Sequence, residues 1–386
     1  MMKKVSKRAV NLRQGAIRAM FDKAATMTNV ISMGIGEPDM ATPKPVCEAA
    51  MEALNKGITH YTPNAGFLST RKIISTTGSI AAAQYDPATE IIITNGGMGA
   101  LSLLISVLIE EGDEVLIQDP QWLNYAAQIE YYGGTVVRVP TKAEEGFALK
   151  ASEIEKRITD KTKLLLINSP NNPTGEVLGH DSLVEIAELT KKYDILVASD
   201  EVYNTLFYDG VQFESICTIP GMKERCIVVN SFSKSYAMTG WRIGYAAGPA
   251  EIIDRMIKAQ ENLNACANSF GQYAAEYALE HLELSDDLRE VFAKRRTVLL
   301  EGLNSIEGIK CGVPQGAFYV FPDISAFGLD SQTFCERLLE EQKVVCIPGS
   351  AFGECGEGYI RIAYTNDEEN IRAAVERIRK FCDSLR

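Results

Sequence analysis

The sequence predicts an α/β protein: a mostly parallel seven-stranded sheet sandwiched by helices, with a smaller α+β domain toward the C-terminus. Three observations predict it. From about residue 90 short β-rich runs alternate with longer amphipathic stretches, the pattern of strand–helix–strand units. Several of those runs are apolar without polar alternation, as in strands covered on both faces. After about residue 283 the pattern changes to one long helix followed by short mixed elements. The boundaries that follow are an N-terminal arm over residues 1–40 that forms part of the smaller domain, a large domain over 41–283 and the smaller domain over 284–386.

The seven candidate strands, in order, are EIIITNG, DEVLIQDP, GTVVRVPT, TKLLLINSP, DILVASDEVY, CIVVNSFSK and RIGYAAG. Between them, GALSLLISVLIEEG and HDSLVEIAELTKKYD repeat apolar residues at helical spacing. The second ends in lysines, which suit the negative end of a helix dipole. SDDLREVFAKRRTVLLEGLNSI reads as one long helix opening on a Ser and Asp cap. A strand GAFYVFPDI, a helix DSQTFCERLLEEQ, a strand EGYIRIAYTN and a last helix from Asp367 complete the smaller domain.

Composition narrows the function. With 386 residues, 46% hydrophobic and 23% charged, the chain falls in the range of soluble globular proteins. A formal charge of −12 and no basic run argue against a nucleic-acid partner. The basic N-terminus runs into a charged, helical stretch rather than a signal-peptide core, and no apolar run nears the roughly 20 residues that span a membrane. Nine cysteines, odd in number and without CxxC spacing, read as reduced thiols of a cytoplasmic protein. Three histidines, His60, His180 and His281, are too scattered for a metal site, and no serine-nucleophile elbow occurs.

In open α/β sheets ligands bind at the carboxyl ends of strands, and the distinctive residues of this chain fall there. Gly96, Gly97, Met98 and Gly99 follow the first strand and Trp122 the second; Asn172 follows the fourth, Asp200 and Tyr203 end the fifth, and Ser231, Ser233 and Lys234 end the sixth. A glycine-rich helix start with two serines and Arg242, eight positions beyond Lys234, makes an anion site. GGMGAL lacks the GxGxxG of a dinucleotide site, and no GxxxxGK[ST] occurs. An amine able to bind a carbonyl, with an aspartate to keep a ring nitrogen protonated, is what pyridoxal phosphate requires.

SFSKSYAMTGWRIGY closely resembles the signature of the class I and II aminotransferases, the fold-type I pyridoxal-phosphate enzymes. The resemblance extends through GAIRAMFDKA, MGIGEPDM, HYTPNAG, TNGGMGAL, DPQW, NSPNNPTG, DEVY, GAFYVF, PGSAFG and GYIRIAY. It implies that Lys234 binds the cofactor covalently and moves the substrate proton. Asp200 would pair the pyridine nitrogen, Tyr203 and Asn172 would bond the 3-oxygen, and Trp122 would stack on the ring. Gly97, Met98, Ser231 and Arg242, with Ser233, would hold the phosphate. Tyr61 would reach the phosphate of the neighbouring subunit, so a homodimer is implied. Arg361 would grip the substrate α-carboxylate through two parallel bonds, with Gly36 closing over it.

In related aspartate aminotransferases a lysine in the glycine-rich loop, or an arginine in the partner's segment that here reads ENLNACANSF, binds a second carboxylate. This chain has Met98 in the loop and no cation in that segment. The resemblance therefore points to a neutral, aromatic or broad donor, with aspartate still open, and Met98, Trp122 and Ile17 would make an apolar side-chain pocket. GFLSTRK departs from the family's G-x-x-E-L-R, a change that bears on helix capping. A carbon–sulfur β-lyase of the same fold remains the alternative, and a non-enzymatic, cofactor-sensing regulator a more distant one.

Overall fold

All seven runs expected as strands join one sheet. Its order is Ile91–Thr94, Gly244–Ala247, Cys226–Ser231, Leu196–Asp200, Thr162–Asn168, Glu114–Asp119 and Thr135–Pro140. The structure, a computed structural model, describes residues 5–12 and 15–386. Gly244–Ala247 runs antiparallel to both its neighbours, and the other six strands point the same way.

Successive side chains explain why these runs lack alternation. Ile91, Ile93, Leu165, Ile167, Val197 and Val228 enter a core on one face; Ile92, Leu164, Leu166, Ala198, Ile227 and Val229 enter a second on the other. Each buried Ile, Leu or Val contributes about 1.5–3 kcal/mol relative to exposure, so neither set tolerates a polar residue.

A third apolar cluster joins Met20, Ala24, Ile31 and Met33 of the N-terminal arm to Phe292, Leu299, Phe334, Leu338, Ile378 and Phe381. Ile31–Ser32 pairs in parallel with Val344–Val345, which fixes the arm to the C-terminal region. Ile347–Pro348, Ile360–Ala363 and Tyr319–Val320 form a small antiparallel sheet beside it.

Two local expectations are corrected. GAFYVFPDI forms only the two-residue strand Tyr319–Val320, because Ala317 adopts φ 57° and Gly316 instead bridges to Phe207. The long helix spans Glu283–Asn304 with Leu282 at its cap and no side-chain cap bond, and Ser285 is buried inside its first turn. Acidic Glu283 and Asp286 in that turn complement the dipole without an Asx or Ser cap. The glycine-rich run expected to open a helix does so: the helix begins at Gly96, and the glycines are its first turn. Asp330 and Asp367 do cap their helices, accepting from the Thr333 and Asn370 amides. In GFLSTRK the helix Leu68–Thr76 lacks a side-chain cap, and the Phe67 N–H donates to Gln272 Oε1 at 2.8 Å.

Candidate active site

The carboxyl ends of the parallel strands open on a cavity of about 970 Å³. Gly36, Gly97, Met98, Trp122, Asn172, Asp200, Tyr203, Ser231, Ser233, Lys234, Arg242 and Arg361 all line it. Lys234 sits on the one-turn helix Phe232–Ser235, started by Ser231, whose Oγ accepts from the Ser233 amide and bonds Ser233 Oγ at 2.8 Å. Its Nζ donates to the Gly36 carbonyl at 2.5 Å. Burial lowers the Lys234 amine from 10.5 to about 8, Arg361 and Arg242 adding to the effect and Glu37 opposing it.

Asp200, 3% exposed at its strand end, accepts the Tyr125 hydroxyl at 2.5 Å on Oδ2 and the Val202 amide at 3.3 Å on Oδ1. Burial pushes its carboxyl up to about 6, while the Tyr125 bond and Lys234 pull the other way. One amide joins this end of the site to the other: Asn168 Nδ2 donates to the Asp200 carbonyl at 3.0 Å, and its Oδ1 accepts the Asn172 N–H at 2.9 Å. The side chain of Asn172 then accepts from Arg361 Nη1 at 2.9 Å.

Arg361 is 2% exposed, held through Nη2 to the Gly34 carbonyl at 2.7 Å, with the Tyr319 and Phe352 rings 4.5 and 4.9 Å from its guanidinium carbon. Its Nε is buried with no hydrogen-bond partner, an orphaned donor on a cation. Burial lowers the Arg361 pKa from its ordinary value. The Tyr203 and Tyr319 hydroxyls meet at 2.9 Å, and burial raises the Tyr203 phenol. Gly36 passes so close to Tyr319 that any β-carbon there would overlap the phenol oxygen.

A cradle of donors lies at the start of the Gly96–Leu108 helix. Gly96 has φ 73°, and the Arg242 guanidinium occupies the place a β-carbon would take. Gly97 faces Ser231, its β-position 3.5 Å from Ser231 Cβ. Unsatisfied helix N–H groups, two hydroxyls and a guanidinium therefore converge where a phosphate would sit. With an amine, a buried carboxyl and that cradle on one cavity, the residues present fit pyridoxal phosphate.

Tyr61 is 88% exposed and does not line its own chain's cavity. The Ile17 side chain lies outside the described residues. The side-chain wall is also more polar than expected, because Met98 Sδ faces Asn124 Nδ2 at 3.8 Å and Gln128 Nε2 at 3.5 Å. Trp122 meets Tyr125 edge-on at 5.2 Å. Sequence reasoning missed Tyr125, Asn168, Tyr319 and Arg18, all on the cavity wall. Asn168 ends a strand and could have been found by that rule; Tyr125 and Arg18 lie on helices that only packing aims at the site.

His180 and His281 pair with Glu214 and Glu283 at the surface. Among the described residues no group of three or more His, Cys, Asp or Glu side chains could hold a metal, and no helix is long and apolar enough to cross a membrane. All nine cysteines are free.

The sequence profile of aminotransferase class I and II matches residues 28–378. An aspartate aminotransferase of Pyrococcus abyssi is 44% identical over 371 residues, 94% of each chain. Aromatic-amino-acid aminotransferase 2 of Thermococcus litoralis is 41% identical over 380 residues, 97% of each chain. The crystal structure of an aromatic aminotransferase from Pyrococcus horikoshii superposes with a TM-score of 0.90 at 42% identity, covering 95% of this chain and 99% of that one.

Proposed function

The chain belongs to the class I and II aminotransferases, which are pyridoxal-phosphate enzymes of fold-type I, and we propose that it exchanges an amino group between a 2-oxo acid and L-amino acids of both aromatic and aspartate-like kind. The observation that carries this reading is the convergence of the Lys234 amine, the Asp200 carboxyl and the buried Arg361 guanidinium on one cavity. The names of relatives on either side of the aromatic and aspartate divide support the breadth of donor.

Pyridoxal phosphate, when bound, supplies an electron sink for the charge left at the substrate Cα. Lys234 would hold it covalently and move the proton at the substrate Cα, a task suited to an amine whose pKa burial brings near working pH. Asp200 would keep the pyridine nitrogen protonated, and the Tyr125 hydroxyl favours the charged form of Asp200. Asn172, whose Oδ1 accepts from Arg361, would offer its amide donor to the 3-oxygen together with Tyr203. Trp122 would stack on the ring. Gly97, Met98, Ser231, Ser233 and Arg242 would hold the phosphate through N–H, O–H and guanidinium donors. Arg361 would pair the α-carboxylate, and Gly36, on the arm that packs with the smaller domain, would close over it and exclude water.

The division at residues 40/41 and 283/284 belongs to this proposal and is supported by the separate apolar clusters. So does a homodimer in which Tyr61, exposed in one chain, reaches its neighbour's phosphate, as does a cytoplasmic setting for the free thiols.

Absorbance of the purified holoenzyme, titrated with single amino acids in the absence of any keto acid, tests the function. Conversion of the cofactor band to that of its amino form by aromatic and dicarboxylic donors is the expected result. Release of pyruvate and ammonia with the band unchanged would assign a β-lyase instead, and a protein without a cofactor band would sink the reading.

A further inference from the structure

We propose that Arg18 binds the second carboxylate of dicarboxylic substrates, an inference that rests on the function above. Four cationic side chains line the cavity among the described residues: Arg18, Lys234, Arg242 and Arg361. The last three have tasks at the cofactor, its phosphate and the α-carboxylate. Of these four, Arg18 remains for a charged substrate side chain.

Its placement follows from helical periodicity. Arg18, Phe21, Asp22 and Ala25 recur at i, i+3, i+4 and i+7 along the helix Ala16–Ala24 and its C-cap, and all four line the cavity. The helix starts against the opposite wall, since the Gly15 β-position lies 3.0 Å from Leu123 Cδ1, and Trp122 and Asn124 flank that leucine on the same cavity. One face of one helix thus offers an apolar ring at Phe21 and a guanidinium one turn before it.

Arg18 Nε pairs with Asp22 Oδ1 at 2.9 Å, and the two side chains are 75% and 50% exposed. An exposed pair of this kind contributes little, so the guanidinium can exchange Asp22 for an incoming carboxylate and grip it through two bonds. While the pair is closed, Asp22 offsets the Arg18 charge and an aromatic side chain meets no uncompensated guanidinium. When it opens, the guanidinium is free to meet the second carboxylate of a dicarboxylic substrate. The exchange accounts for a pocket that serves both substrate kinds without a lysine at position 98.

The test measures the half-reaction kcat/KM of the holoenzyme and of Arg18→Ala with aspartate, glutamate and phenylalanine, together with spectral titration by succinate, a dicarboxylate that cannot react. Arg18→Ala should lower the ratio of dicarboxylate to phenylalanine kcat/KM about ten- to a hundredfold and weaken succinate binding in parallel. Asp22→Asn should raise the same ratio. An equal fall for all three donors, or succinate binding unchanged by Arg18→Ala, would overturn the inference. A wild-type enzyme that converts no donor while succinate binding still depends on Arg18 would sink the proposed function and leave the carboxylate site standing.

Discussion

Tyr125 and Asp200 lie 75 positions apart and meet at 2.5 Å. A phenol donating to a buried carboxylate favours its charged form, so Tyr125 offsets part of the burial that raises Asp200 to about 6. Tyr125→Phe should therefore raise the Asp200 pKa, moving the acid limb of the kcat/KM profile to higher pH by about one to two units, since a hydrogen bond to a charged group contributes about 1.5–3 kcal/mol. A pH–rate profile superimposable on the wild type would show that the bond does not tune Asp200. Asp200 itself was legible because it ends a strand beside Tyr203. Its partner was not, because nothing in QWLNYAAQ shows which helical face meets the fifth strand.

At the scale of elements, the Gly96–Leu108 helix supplies N–H donors only because its first residue accepts φ 73° and leaves room for Arg242. An alanine at position 96 is strained in that conformation, by roughly 1–2 kcal/mol, and its β-carbon displaces the guanidinium. Gly96→Ala should weaken pyridoxal-phosphate binding at equilibrium by tenfold or more, as read by titration of the apoprotein. Unchanged affinity would mean that Arg242 takes no part in holding the phosphate. The strands and most helices could be read from period alone, and the sites at strand ends came with them. The Glu283–Asn304 cap and the short Tyr319–Val320 strand could not, since contacts from elsewhere in the chain decide both.

At the scale of the whole molecule, Glu201 shows how folding couples to pH. It follows Asp200 just beyond the strand end but does not line the cavity, fully buried among the Ser79, Ser199 and Ser215 hydroxyls, and burial raises its carboxyl to about 7. The unfolded chain releases this proton near 4.5 and the folded chain keeps it to about 7, so between these values the folded state binds more protons. The stability it contributes is present below 4.5 and is lost as pH rises through about 7, a change of about 3 kcal/mol for this one group. Glu201→Gln should flatten the dependence of Tm on pH between 5 and 8. A wild-type slope retained by the variant would place the coupling elsewhere.

The sequence by itself determined the α/β sheet, its seven strands and the groups at their carboxyl ends, because strand period and the burial of both faces are written locally in runs such as TKLLLINSP. It also carried Lys234, Asp200 and Arg242, whose motifs sit at fixed distances from those ends, and Arg361 through the motif GYIRIAY in the smaller domain. Only the tertiary structure decided which helix faces meet the cavity. The Arg18 and Phe21 face and the Tyr125 hydroxyl reach the site through packing between segments remote in sequence, and no local period encodes the direction in which a helix is laid against a sheet.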